Sequence, residues 1–159
     1  MKGLGTALIT PFTEDGKVDF QSLTTLIEHQ IAGGTDYLVI LGTTSEVPTL
    51  THEEQNEIIA FVVKQAAGRI PLVLGIGGNC TAAVVQRIHE LKDILTAHFA
   101  GILSVTPYYN RPLQEGLYLH FSEVAKASPV PVILYNVPKR TGVNMLAETT
   151  RRIYDAHPD

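Results

Sequence analysis

The sequence predicts an α/β fold built on a parallel sheet. Five short apolar, β-branched runs recur along its 159 residues, and each is followed by a segment with helical spacing. The runs begin roughly 30 residues apart, which is the length of one βα unit. They are apolar throughout rather than alternating, as expected for strands covered on both faces. With no internal linker, we expect a single domain over residues 1–159.

Two architectures fit this alternation. One is a complete, doubly wound domain of five strands, and the other is five-eighths of a (β/α)₈ barrel, which normally needs about 250 residues. The pattern alone does not separate them. The predicted strands are Leu4–Ile9, Tyr37–Leu41, Leu72–Leu74, Ile102–Val105 and Val132–Leu134.

Caps and apolar faces define the helices between these strands. Asp19 is the expected N-cap of the first helix, and Gly33-Gly34 is its stop. Thr51 and Glu54 have the spacing of a capping box that opens the second helix. The apolar faces of the later helices run over residues 84–95, 117–125 and, more weakly, 146–153.

Composition excludes several classes of protein. The net charge is −4 and no cluster of Lys and Arg occurs, so nucleic acid is not an expected partner. The longest apolar runs are about six residues, far below the roughly 20 needed to cross a membrane. With one cysteine, Cys80, and no signal-peptide pattern at the N-terminus, we expect a soluble protein of the reducing cytoplasm.

Polar residues collect where the predicted strands end. In either architecture this is where binding sites form. Hydroxyl groups can hold a carboxylate, an arginine fork binds one bidentately, and tyrosines can move protons at a carbonyl oxygen. The residues are Thr43 and Thr44 after the second strand, Asn79 after the third, Tyr108 and Tyr109 after the fourth, and Tyr135, Asn136 and Arg140 after the fifth.

Metal and dinucleotide sites are not expected. The sequence has no HExxH, no CxxC and no cluster of ligands with metal-binding spacing. Gly75-Ile76-Gly77-Gly78 resembles a dinucleotide-binding turn, but Cys80 replaces the third glycine, which favours a tight strand-to-helix turn. Taken singly, the threonines could be polar residues of a helix entry, and Arg140 could form a surface ion pair. Their joint placement favours a functional site.

Three segments resemble the dihydrodipicolinate synthase and N-acetylneuraminate lyase family. They are Gly42–Glu46, Val105–Pro112 and Tyr135–Gly142, and the resemblance extends over the chain from Gly5 onward. Arg140, preceded by Tyr-Asn-Val-Pro, is typical of the synthase branch rather than of the sialic acid lyases.

The resemblance implies the first five βα units of a (β/α)₈ TIM barrel, truncated before strand six. It also implies a cofactor-free lyase that condenses pyruvate, as a lysine Schiff base, with aspartate semialdehyde in lysine and diaminopimelate biosynthesis. The family's Schiff-base lysine lies on strand six, and the sequence ends at His157-Pro158-Asp159. We therefore expect the chain to be inactive by itself. The full-length family is expected to form a homotetramer, a dimer of dimers.

The same resemblance assigns the site residues. Thr44 would hold the carboxylate of pyruvate, and Arg140 would bind that of the semialdehyde. Thr43, Tyr109 and Tyr135 would form a proton relay, with Tyr135 as the acid and base at the carbonyl. Tyr109 would come from the neighbouring subunit.

A lysine effector site is also implied, at His52, Asn79 and Tyr108. Gln55 and Ala83 stand where lysine-sensitive members have a histidine and a glutamate, which argues against inhibition by lysine. Two other functions remain open. One is another pyruvate-dependent lyase of the family, similar to N-acetylneuraminate lyase, and the other is a non-catalytic half-barrel for binding or association.

Overall fold

The computed structural model describes residues 1–158. These residues form two compact units, one of Met1–Gly75 with His98–Ala100 and one of Ile76–Ala97 with Gly101 onward. Five strands alternate with helices along the chain, and the described pairings between these strands are parallel. The predicted α/β class is confirmed, whereas the single-domain organisation stays a prediction. No helix in this range is long and apolar enough to cross a membrane.

The first unit contains three parallel strands in sequence order. In the register, Thr6 lies opposite Leu38 and Val39 lies opposite Val73. Apolar side chains of the two helices supply the core of this unit, including Leu23, Ile27, Ile58, Ile59 and Val62. Its strands are β1 (Gly5–Ala7), β2 (Tyr37–Ile40) and β3 (Leu72–Gly75), and its helices are α1 (Phe20–Ala32) and α2 (His52–Ala66).

The predicted caps of α1 and α2 are confirmed. The Asp19 carboxylate accepts a hydrogen bond from the Ser22 N–H at 3.0 Å. Thr51 accepts from the Glu54 N–H at 3.2 Å, and the Glu54 carboxylate accepts from the Thr51 N–H at 2.8 Å. These bonds satisfy N–H groups that have no partner within a helix, so the sequence defines both helix starts locally.

The second unit contains the rest of the chain. Ile102 lies opposite Val132 and Val105 opposite Tyr135 in a parallel strand pair. Leu117, Phe121, Met145 and Ile153 form a buried core cluster. The elements are α3 (Thr81–Glu90), α4 (Lys92–His98), β4 (Phe99–Val105), α5 (Gln114–Ala127), β5 (Val132–Tyr135), α6 (Pro138–Thr141) and α7 (Ala147–Ala156). The last residue of α4 and the first two of β4, His98–Ala100, belong to the first unit.

The continuous helix predicted over residues 84–95 is wrong. The chain leaves the helical conformation at Leu91, where φ is −99° and ψ is 7°, and α3 and α4 are separate helices. Val84, Ile88 and Leu95 are nevertheless all buried. The break keeps the apolar face aligned and involves neither Gly nor Pro, so the sequence carried no local signal of it.

Candidate functional site

The predicted site residues fall into both units. In the first unit, Thr43 and Thr44 follow the end of β2. The chain passes through Leu41, whose φ of 52° is left-handed, and then forms a 3₁₀ turn over Thr43–Ser45. The side chains of Thr43 and Thr44 are exposed at this turn. They therefore lie at the C-terminal end of a parallel strand, as predicted.

Ser45 anchors this turn to the end of β1. Its buried hydroxyl donates to the Leu8 carbonyl at 2.7 Å, and its own carbonyl accepts from the Thr10 hydroxyl at 2.8 Å. Both bonds join residues that are more than thirty positions apart in the chain. They hold the two neighbouring threonines in place without using the threonine hydroxyls.

The glycines after β3 permit close backbone approach. A Cβ at Gly75 would lie 2.0 Å from the Leu41 carbonyl oxygen, which no side chain could tolerate. A Cβ at Gly77 would lie 2.8 Å from the Val105 nitrogen. Packing alone therefore accounts for both glycines, as expected of a tight strand-to-helix turn.

In the second unit, the segment after β4 is strained. Tyr109 has a φ of 71° and Arg111 a φ of 46°, conformations that cost a non-glycine residue of order 1–3 kcal/mol each. Between them, the Asn110 side chain donates to the Asn79 carbonyl at 3.0 Å. The Tyr109 side chain is 89 % exposed. The loop thus holds this ring out in solvent.

Tyr135 lies at the end of β5, and Arg140 follows it five positions later. Tyr135 is the last residue of the strand and is half-buried, and its carbonyl accepts from the Thr106 N–H at 3.0 Å. Arg140 is exposed on α6, a single turn that closes on Gly142 at a φ of 72°. Arg140 makes no ion pair with any residue up to Pro158, which argues against the surface-ion-pair alternative.

The structure gives Asn136 a different role from the one its position suggested. Its side-chain amide donates to the Asn144 side-chain oxygen at 2.8 Å and to the Met145 carbonyl at 3.2 Å, and its oxygen accepts from the Met145 N–H at 3.1 Å. The amide is therefore engaged within the chain rather than free for a substrate. No periodicity or motif indicated this, because the partners lie eight and nine positions further along the sequence.

The predicted effector residues are divided between the units. His52 is the exposed first residue of α2 in the first unit, and Asn79 and Tyr108 belong to the loops of the second. The Gln55 side chain donates to the Leu50 carbonyl at 3.2 Å, so its amide is already engaged. Among residues 1–158, no group of three His, Cys, Asp or Glu residues could hold a metal ion.

Comparison with known proteins places the chain in one family. The profile of the Dihydrodipicolinate synthetase family matches residues 1–158. A protein of Parabacteroides distasonis named 4-hydroxy-tetrahydrodipicolinate synthase is 56 % identical over 156 residues, which are 96 % of this chain and 50 % of that protein. A synthase of the same name from Flavobacterium psychrophilum is 54 % identical, over 95 % of this chain and 50 % of its own length.

Solved structures of synthases with similar names also match this chain. The crystal structure of dihydrodipicolinate synthase from Aquifex aeolicus matches with a TM-score of 0.90 and 44 % identity, over 98 % of this chain and 52 % of that one. The synthase from the methanotroph Methylacidiphilum fumariolicum SolV matches with a TM-score of 0.93 and 39 % identity, over 99 % and 51 %. The chain thus spans about half the length of the relatives it matches. It belongs to the Dihydrodipicolinate synthetase family, and its strands and helices are the first five βα units of that family's (β/α)₈ barrel.

Proposed function

We propose that this protein is a 4-hydroxy-tetrahydrodipicolinate synthase, which condenses pyruvate with L-aspartate 4-semialdehyde in lysine and diaminopimelate biosynthesis. One observation carries the proposal beyond family membership. The side chains of Thr43, Thr44, Tyr135 and Arg140 make no hydrogen bond with any residue up to Pro158. Polar groups at strand ends that stabilise nothing in the chain are available to a ligand.

The proposed chemistry begins with an amine. A lysine amine condenses with the keto carbon of pyruvate and releases water, and the imine then loses a methyl proton to give an enamine. The enamine carbon attacks the aldehyde carbon of the semialdehyde. The resemblance assigns this lysine to the sixth strand of the barrel, beyond the five strands of this sequence. Lys139 is not proposed for the role, because it is exposed on α6 rather than enclosed in a strand.

The remaining steps need carboxylate binding and proton transfer. We assign Thr44 to the carboxylate of pyruvate, since a free hydroxyl can donate to it. Tyr135 is the acid and base at the pyruvate carbonyl, with Thr43 and Tyr109 completing the relay. Arg140 binds the carboxylate of the semialdehyde, because an unpaired guanidinium offers it two parallel N–H donors.

The proposal extends to assembly and location. We propose a cytoplasmic homotetramer, a dimer of dimers, in which Tyr109 is contributed to the neighbouring subunit. The exposure of this ring, at 89 %, supports that assignment. We also propose that lysine inhibits this protein weakly. Ala83, an exposed residue of α3, offers no carboxylate to an ammonium group at the proposed effector site of His52, Asn79 and Tyr108.

The test uses the protein expressed from its natural reading frame. Borohydride reduction in the presence of pyruvate is expected to leave a stable adduct, and condensation with the semialdehyde is expected in a coupled assay. Tyr135→Phe should lower kcat by about 10²- to 10⁴-fold. Arg140→Ala should raise the KM of the semialdehyde by about tenfold or more, with that of pyruvate little changed.

Two matched variants serve as controls. Tyr154→Phe alters an exposed tyrosine of α7, and Arg151→Ala alters an arginine paired with Asp155 at 2.8 Å. Neither should change the kinetics. Absence of a pyruvate adduct would contradict the proposal and favour the non-catalytic module. Preference for an amino sugar over the semialdehyde as acceptor would instead assign the protein to the lyase branch.

A further inference from the structure

The segment that carries Arg140 follows β5 directly and is held at its far end by side-chain hydrogen bonds. We call residues 137–146 the Arg140 loop. Within it, the Thr141 hydroxyl donates to the Val143 carbonyl at 3.0 Å, and the Gly142 N–H donates to the Pro138 carbonyl at 2.9 Å. These short-range bonds shape the turn but do not fix its position on the barrel unit. Two side chains outside the loop do so.

Asn136 closes the base of the loop. Its three hydrogen bonds, to the Asn144 side chain and to the backbone N–H and carbonyl of Met145, join the end of β5 to the far end of the loop. The Asn136 side-chain amide thus donates to one backbone group and accepts from another, as neighbouring strands do in a sheet. Asn136 therefore fixes the distance across which the loop must turn.

Gln114 holds the same end from a different element. At the start of α5, its amide nitrogen donates to the Asn144 carbonyl at 2.8 Å. Its oxygen accepts from the Leu146 N–H at 3.1 Å and from the Thr149 hydroxyl at 2.6 Å. The loop end is thus bonded to α5 as well as to β5, and neither contact uses Arg140.

Arg111 covers the middle of the loop. A Cβ at Gly142 would lie 2.9 Å from the Arg111 Nε atom and 3.5 Å from its Cζ atom, so the guanidinium rests against this glycine. Arg111 makes no ion pair with residues 1–158. Its guanidinium therefore rests against Gly142, two positions after Arg140, and is not neutralised by an ion pair with a described carboxylate. The turn that carries Arg140 therefore lies beside a second guanidinium, that of Arg111, and neither forms an ion pair with residues 1–158.

We propose that Asn136 and Gln114 are positioning residues for the aldehyde substrate. By fixing the Arg140 loop at its far end, they hold the Arg140 guanidinium ready for the carboxylate of the semialdehyde. The inference rests on the proposed function and deepens it. Because their bonds reach only the Arg140 loop and α7, loosening them should affect the binding of the second substrate and leave pyruvate unaffected.

Asn136→Asp is the variant that tests this role most directly, because it removes the amide donor and keeps the size of the side chain. The new carboxylate can still accept from the Met145 N–H, but its second oxygen would face the Asn144 oxygen and the Met145 carbonyl, both acceptors. Asn144→Asp is the matched control. A carboxylate there can still accept from the Asn136 amide, and it adds the same charge beside the same hydrogen bond. The pair separates loss of the hydrogen bonds from the electrostatic effect of a new anion near Arg140.

The measurement is steady-state kinetics of the full-length protein with each substrate varied in turn. Asn136→Asp should raise the KM of the semialdehyde by about tenfold to a hundredfold, and the KM of pyruvate should stay within about twofold of the parent value. Asn144→Asp should leave both near the parent values. Gln114→Glu, which keeps the oxygen acceptor and loses the donor to Asn144, should act in the same direction as Asn136→Asp by a smaller factor. This variant keeps the test decisive if Asn136→Asp fails to fold.

Borohydride trapping separates this inference from the proposed function. A parent protein without a pyruvate adduct would remove the proposed function itself. If the adduct forms in the parent and in both variants, the function stands. Unchanged kinetics in Asn136→Asp and Gln114→Glu, an equal rise for both substrates, or the same effect in Asn144→Asp would then overturn the positioning role.

Discussion

At the end of β2, two adjacent hydroxyl groups have opposite surroundings. Ser45 is buried and donates to the Leu8 carbonyl at 2.7 Å. Thr44 is exposed and bonds to no residue up to Pro158. One hydroxyl stabilises the fold and the other is available to a ligand. The consecutive hydroxyl residues Thr43, Thr44 and Ser45 do not reveal this division in the sequence, because the deciding partner is 37 positions away.

This contrast predicts separate effects of two neighbouring substitutions. Ser45→Ala leaves the buried Leu8 carbonyl without its donor and should lower the free energy of unfolding by about 1–3 kcal/mol. Thr44→Ala should leave stability unchanged and abolish tight pyruvate binding. Urea denaturation and pyruvate titration measure the two effects. Equal destabilisation by both variants would contradict the assignment of Thr44 to the ligand.

The limits of residue-level prediction follow from the same distances. The resemblance identified Thr44, Tyr135 and Arg140, and the structure leaves their side chains free. It did not assign Gln114, whose partners are 30 to 35 positions distant. Motifs record which residues recur in order, whereas a hydrogen bond between remote segments depends on how those segments pack.

At the scale of helices and strands, one ion pair joins α1 to the turn after α2. Arg69 donates two hydrogen bonds to the Glu28 carboxylate, at 2.6 and 2.8 Å, and Gln65 donates a third at 2.6 Å. The hydrogen bonds from Arg69, followed by that from Gln65, lower the pKa of Glu28 from 4.5 to about 2. This half-buried carboxylate therefore favours the folded state whenever it is charged.

The shift predicts how stability depends on pH. Because the folded pKa of Glu28 is depressed, its contribution is fully present above pH 4.5 and is lost as the pH falls towards 2. Glu28→Gln should therefore flatten the fall in unfolding temperature across this window. The control is Glu57→Gln, which removes an exposed carboxyl of α2 that forms no described ion pair; it should leave the slope unchanged. A parental slope in Glu28→Gln would contradict the linkage.

Elements were predicted well where their signals were local. The caps Asp19 and Thr51 and the strand starts at Tyr37 and Leu72 were read directly from neighbouring residues. The break at Leu91 escaped prediction, because the apolar spacing continues unchanged through it. Short turns such as α6 escaped as well, since four residues are too few to show a period.

At the scale of the whole molecule, five βα units were predicted, and their number and order are confirmed. Pattern alone left the doubly wound and barrel alternatives equal, because both consist of the same repeating unit. Only motifs belonging to a particular family, and then the comparison with solved barrels at TM-scores of 0.90 and 0.93, distinguished them.

The proposed location of the nucleophile gives a prediction for residues 1–159 expressed alone. With pyruvate and borohydride, this polypeptide should acquire no stable adduct, because none of its lysines lies on the sixth strand. Mass spectrometry of the intact chain detects the addition. The protein from the natural reading frame, treated in parallel, should be labelled. An adduct on Lys139 in the shorter polypeptide would assign the nucleophile to α6 instead.

The left-handed backbone and solvent-exposed ring of Tyr109 have a consequence for how specific activity varies with concentration. The left-handed conformation of Tyr109 costs of order 1–3 kcal/mol, and the ring, which is 89 % exposed, buries little surface to offset that cost. If the ring completes the site of another subunit, contact between subunits offsets that cost and creates the competent relay in one event. Dilution would then lower the turnover per subunit, and mixing a chain defective at Tyr109 with one defective at Tyr135 would restore part of it.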